Sequence, residues 1–170
     1  MSNKSCDAMP ITLRYIVMHP LYDRQKKMVY NLTEIESFCR EEKIPYERVS
    51  PDEVQVYICE DSALCFANIE KGTDTYLGFA DSAWHSHGDL TLMTGPDTTN
   101  EFSPIEILIG LRSGEMLIST LSVDGKFKDR WIFHRKEKQD FQHLEANETI
   151  SIKRADQGGG INSVSLRSTT

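Results

Sequence analysis

Between residues 54 and 80 the chain uses one device three times: a short run of β-branched, aromatic and other apolar residues, closed by polar turn formers. "VQVYIC" (54–59) alternates Val54, Val56 and Ile58 against Gln55, Tyr57 and Cys59. "EDSA" then turns the chain into "LCFANIE" (64–70), and "KGTD" turns it into "TYLGFA" (75–80). Strands this short, joined by turns this short, can only pair with their neighbours in sequence, so the segment predicts an antiparallel meander. Parallel crossovers need about a dozen connecting residues and are excluded here.

Two helices frame this meander. In "NLTEIESFCREEKIP" (31–45), Asn31 and Glu34 stand at capping-box spacing, while Leu32, Ile35, Phe38 and Cys39 share one helical face. The spacing predicts a helix over 32–43, ended by Pro45. The second helix is marked at both ends: Ser103 as N-cap, Pro104 in the first turn, Glu106 completing the box, Phe102 placed to staple onto Ile107, and Gly114 as terminator. "SPDE" (50–53) reads as a single helical turn, "SAWHSHGDLTLM" (82–93) as a fourth extended piece, and "TGPDTTN" (94–100) as a loop.

"EMLISTLSVDGKFKDRWIFHR" (115–135) reads as a hairpin about a type I′ turn at Asp124-Gly125. A two-residue loop sets Ile118 opposite Trp131 and Met116 opposite Phe133, with Trp131 in the core. "ITLRYIVMH" (11–19) is a further strand candidate, and "FQHLEANETISIKRA" (141–155) adds at most one short element. These elements predict an α+β domain over residues 1–150, with an antiparallel sheet of about five to seven strands and two principal helices. Residues 151–170, with Gly158, Gly159 and Gly160 and no apolar period, are expected to form a disordered tail.

Charge narrows the partners. The net charge of the 170 residues is −7, and since residues 151–170 carry +2, residues 1–150 carry −9. An acidic surface repels a nucleic-acid backbone and attracts a basic protein. No apolar run is long enough to span a bilayer and "MSNKSCDAMP" has no signal-peptide core, so no membrane association and a cytoplasmic location are expected. Cys6, Cys39, Cys59 and Cys65 lack CxxC spacing and read as free thiols, with Cys39 buried on its helix.

The segment with potential chemistry is "WHSHGD" (84–89). On an extended strand His85, His87 and Asp89 project to one side and Trp84 to the other. Two imidazoles and a carboxylate can hold zinc or iron. The same alternation also describes a solvated strand face anchored from behind by Trp84. His19, His134 and His143 read as surface residues.

Three resemblances bear on the choice. Gly78, His85, His87 and Gly95 fall near the cupin spacing, but that pattern's glutamate and second motif are missing. "WHSHGDLTLMTGPD" (84–97) resembles the JAMM metalloisopeptidase motif. That resemblance implies zinc held by His85, His87 and Asp97, with Thr94 in place of the serine beside the oxyanion. Gly88 stands where that family has proline, and the spacing is one residue short. Finally, "GFADSAWHSHGDL", the helix "SPIEILIGLRSGE" and the hairpin "LISTLSVDGKFKDRWI" together look like small bacterial proteins with a strand-borne W-H-x-H segment, several regarded as immunity proteins of toxin systems. This last resemblance implies a protein-binding role, without a cofactor, for the surface around Trp84, His85, His87 and Asp89, and a basic toxin as partner. The metal-dependent hydrolase is the alternative.

Overall fold

The computed structural model describes residues 29–59, 62–137, 144–154 and 163–167. The candidate strand at 11–19, His19 and His143 lie outside them. Helix α1 (Leu32–Glu41) starts where the Asn31 side chain accepts the Glu34 N–H at 3.3 Å, and buries Leu32, Ile35 and Cys39. Its end is set before Pro45. Lys43 takes the left-handed conformation (φ 56°), and the Ile44 and Lys43 N–H groups return to the Cys39 and Arg40 carbonyls at 2.8 and 3.3 Å. That is a Schellman motif with lysine where glycine is usual.

The meander follows, with one strand more than the sequence suggests. Strands β1 (Tyr46–Ser50), β2 (Glu53–Cys59), β3 (Ser62–Ile69), β4 (Asp74–Phe79) and β5 (His85–Ser86) form an antiparallel sheet in the order β1-β2-β3-β4-β5. Residues 50–53 are the tight turn between β1 and β2, with Ser50 paired to Glu53, and not a helical turn. Cys65 lies opposite Gln55, and both Cys39 and Cys65 are buried free thiols.

Strands β6 (Leu90–Gly95) and β7 (Thr98–Phe102) form a two-stranded ribbon in which Gly95 pairs with Thr98. The expected loop at 94–100 is therefore a hairpin, turned by Pro96 and by Asp97 at φ 58°. Helix α2 (Pro104–Ser113) has the full reciprocal capping box of Ser103 and Glu106, and ends at Gly114 with φ 74°. Strands β8 (Met116–Val123), β9 (Lys126–His134), β10 (Glu148–Lys153) and β11 (Ser163–Arg167) make a second antiparallel sheet, ordered β11-β10-β8-β9. The α+β class, the two helices and the antiparallel pairing agree with the sequence reading. None of the helices among the described residues is long and apolar enough to cross a membrane.

Two expectations in this half are corrected. The turn at Asp124 and Gly125 has positive φ at both residues, as type I′ requires. The ladder then slips: Ser122 pairs with Phe127 but Leu121 pairs with Asp129, which leaves Lys128 as a β-bulge. Beyond it Ile118 faces Ile132, Ser119 faces Trp131 and Met116 faces His134. One inserted residue thus exchanges the two faces of β9. Ile132 and Arg130 point inward, His134 is buried where a surface residue was expected, and Trp131 is only half-buried on the other face, outside the core cluster.

The second correction concerns residues 151–154 and 163–167 of the expected tail; Gly158, Gly159, Gly160 and the rest of it lie outside the described residues. Ser151–Lys153 complete β10, and Ser163–Arg167 pair along it as β11. Arg154 donates from Nη2 to the Ser113 carbonyl at 2.9 Å, placing a cation at the C-terminus of α2. Its guanidinium lies over Gly114, whose left-handed backbone (φ 74°) is what favours glycine there. The polar composition misled because the ladder is made by backbone groups: β10 is paired on both edges and β11 on one, and neither needs an apolar period to form it.

One apolar cluster joins these parts. Ile35 and Cys39 of α1, Phe66 and Phe79 of the first sheet, Leu92 of the ribbon, Leu108 and Leu111 of α2, and Ile118 and Ile132 of the second sheet all belong to it. Arg112 ties the two helices from outside, donating through Nη1 to the Glu42 carbonyl at 2.7 Å and to its carboxylate at 2.8 Å.

The bulged register makes a direct prediction. Ile132→Ala removes a core methyl cluster and should cost about 2–5 kcal/mol, more than Trp131→Ala, when urea midpoints are compared; the opposite order would restore the unbulged ladder. A chain ended after Ile150 loses β11, half of β10 and Arg154, and should unfold at clearly lower urea than the full chain. Equal stability would place that segment outside the fold.

Candidate functional site

After β4 the chain makes a tight excursion before returning as β5, and a single hydroxyl holds that excursion in place. Ser82 Oγ accepts the Trp84 N–H at 3.1 Å and the Arg130 N–H at 3.2 Å, and it also bonds the Asp129 carboxylate. Beside it Arg130, with a side chain 4% exposed, pairs with Asp81 at 2.9 Å and bonds Ser62. Its guanidinium also lies over the rings of Phe79 and Phe127, 5.6 and 4.7 Å from their centroids. The loop at 80–84 is thereby fastened to β9 of the other sheet.

Trp84 then packs on Phe79 (5.8 Å between ring centroids) and on the core, so the residues following it face outward. In β5, His85 pairs with Gly78 and Ser86 with Leu77. Gly78 is required by what crosses it: a Cβ there would lie 2.5 Å from Tyr76 Oη and 2.9 Å from the Trp84 carbonyl. In that space the Tyr76 ring stacks on His85, with centroids 5.5 Å apart and planes 17° apart. The His85 and His87 rings meet edge to face at 5.3 Å.

Each imidazole is held from behind. His85 Nδ1 lies 2.9 Å from the Ala83 carbonyl, and His87 Nδ1 lies 2.8 Å from Asp74 Oδ2. The turn after His87 is buttressed in turn: Gly88 takes φ 72°, donates its N–H to Thr75 Oγ1 at 2.8 Å and accepts the Tyr30 hydroxyl through its carbonyl. Tyr30 is fixed by Asn68, which accepts its N–H at 2.8 Å and donates to its carbonyl at 3.1 Å. Burial, with Asp89 and Asp74 adding to it, pushes the Tyr30 phenol up to about 12, so it remains a donor at neutral pH.

The sequence reading placed the histidines well and did not point to the carboxylate of Asp74. His85 and His87 are both exposed and Trp84 anchors from the opposite face, as the alternation predicts. The alternation stops at Gly88, whose left-handed backbone bends the chain before Asp89. Asp74, at the start of β4, is a carboxylate that reaches an imidazole, that of His87. Only the β4–β5 register brings it there, and nothing in "KGTD" announces it. Arg130 was hidden in the same way, inside a hairpin strand read only for its apolar residues.

Asp97 is at the tip of the β6–β7 hairpin, Thr94 is in β6 beside it, and among the described residues no three of His, Cys, Asp and Glu are grouped to hold a metal. Cys39 and Cys65 are no better as nucleophiles, since burial pushes both thiols up to about 11. His134, buried against Phe102 with ring centroids 6.4 Å apart, has its pKa lowered by burial and by Lys136 and Arg135.

No family model, curated protein or solved structure matches the chain. The site is therefore read from its own geometry: two exposed imidazoles and a phenol in ring contact on a sheet edge, with Asp74 and Asp89 alongside.

Gly78→Ala tests that geometry. The added methyl should displace the Tyr76 ring, cost about 1–3 kcal/mol as an overpacked position, and shift the His85 ring resonances while leaving those of His134 in place. An unperturbed His85 would mean that the stack does not depend on the missing Cβ.

Proposed function

We propose that the chain is an acidic protein-binding domain for a basic protein partner, and that neutralisation of a toxin is the sharpest form of this role. The observation that carries the reading is the Tyr76–His85–His87 ring cluster, with both imidazoles exposed and Tyr76 half-buried beneath them, held by hydrogen bonds and stacking. Rings fixed in advance supply contact area with little loss of side-chain entropy on association. Asp74 and Asp89 beside them, within a segment carrying −9 over residues 1–150, steer a cationic surface onto the rings. Inhibition by occlusion asks for no catalytic group in the inhibitor. Trp84 acts behind this surface as its anchor, while His85, His87 and Asp89 lie on it. Buried free thiols at Cys39 and Cys65 fit a reducing, cytoplasmic setting.

Co-expression with the product of the adjacent gene tests the proposal, because an inhibitor is encoded beside what it inhibits. The two proteins should co-elute, the association rate should fall steeply with added salt, and Tyr76→Ala should weaken the complex at least about tenfold, or about 1.4 kcal/mol. Failure to associate with, or to relieve the toxicity of, the neighbouring product would overturn the toxin reading. An association indifferent to salt would overturn the basic partner.

A further inference from the structure

The two exposed histidines carry information that a contact surface does not need. A carbonyl and a carboxylate are acceptors only, so Nδ1 of each ring must be the protonated nitrogen: His85 toward the Ala83 carbonyl at 2.9 Å, His87 toward Asp74 at 2.8 Å. In the neutral imidazole that leaves the lone pair on Nε2 in both rings. Donating Nδ1–H to a carboxylate or a backbone carbonyl is the arrangement that fixes and strengthens an imidazole as a metal ligand.

The spacing agrees with this chemistry. Metal–nitrogen bonds of about 2.0 Å, extended to the ring centres, put two imidazoles on one tetrahedral ion with centroids roughly 5 Å apart. Here the separation is 5.3 Å, and from the edge-to-face arrangement a turn of one ring brings both Nε2 atoms onto one ion. Tyr76 stacked on His85, and Asp74 bonded to His87, hold the rings at that distance before any ion arrives.

We propose that His85 and His87 form a two-histidine site for a borderline divalent transition-metal ion such as zinc, nickel or copper, bound through Nε2 of each ring. Asp74 is a positioning residue that orients His87 and adds negative charge. It does not touch the ion. Water fills the remaining coordination positions, so the ion is exchangeable and the site differs from the three-ligand centre that Asp97 or Asp89 would complete. Imidazole favours these ions over magnesium or calcium, which prefer oxygen ligands. The inference does not depend on the partner reading, because it concerns the chain alone.

Calorimetric titration of the chelator-treated full chain with zinc chloride and nickel chloride tests it. One equivalent of each should bind with micromolar affinity, magnesium chloride should give no saturable heat, and copper should bind more tightly than nickel, as the affinity order of these ions requires. His85→Ala and His87→Ala should each abolish the one-equivalent step. Asp74→Asn should weaken it about tenfold or more, as loss of an orienting partner does, with the His87 ring resonances shifted and the fold intact. A His19→Ala, His143→Ala variant should bind as the parent does. No saturable binding, or binding that survives loss of both His85 and His87, overturns the proposal; full affinity in Asp74→Asn overturns the positioning role.

Discussion

A guanidinium withdrawn almost wholly from water must be paired and hydrogen-bonded, and the way Arg130 meets that demand organises the region around the site. It starts from β9 of the second sheet, pairs with Asp81 in the loop after β4, and bonds Ser62 at the start of β3. A buried charge stripped of its partners costs several kcal/mol, on the order of 3–5, so the two sheets cannot separate here without exposing or orphaning it. The β-bulge at Lys128 is the precondition. Without that extra residue the next side chains exchange faces, Arg130 turns outward, and neither Asp81 nor Ser62 can be reached.

From Arg130 the consequences run to the histidines in short steps. Ser82 carries the excursion on β9, Trp84 drops from that excursion onto Phe79, and the two-residue β5 can then pair only with the end of β4. A strand of two residues has too few ladder bonds to hold its own position. Its rigidity comes from outside: Gly78 admits the Tyr76 ring, Asp74 holds His87, and Tyr30 holds the carbonyl of Gly88. Residues from the lead-in to α1, from β3 and from β4 thus support two side chains that themselves lie in solvent. Exposed polar residues left to themselves would sample many rotamers, whereas each of these has a hydrogen-bond partner and a ring contact.

How much of this was legible follows from the range of the interactions. Helix α2 could be read almost whole, since Ser103, Pro104, Glu106 and Gly114 act within one turn of their own positions. The end of α1 was set by Lys43 in a left-handed conformation that lysine does not advertise, so Pro45 took the credit. The meander from β2 to β4 was legible because its strands bury one face. Strands β1 and β7 were not, because "YERVS" and "TTNEF" lie largely in solvent and show no alternation. Trp131 was assigned to the core by counting residues back from the turn, and a single bulge defeats that count. The histidines were legible as a period-two pattern, whereas Asp74 and Arg130 enter only through pairings between distant segments.

The partner reading and the metal reading meet at Asp74, and the geometry sets the sign of their coupling. Its carboxylate is engaged by the imidazole of His87. A lysine or arginine arriving from a basic partner would compete for the same oxygens, free His87 to rotate, and remove it from the proposed two-histidine site. A metal ion bound there would in turn bring two positive charges to the patch that attracts the partner. Both effects oppose simultaneous occupancy, and because linkage is reciprocal, metal must weaken partner binding by the same factor that partner weakens metal binding. A carboxylate that serves as orienter for one ligand and as electrostatic target for the other makes the two ligands antagonists, with no conformational change of the fold required.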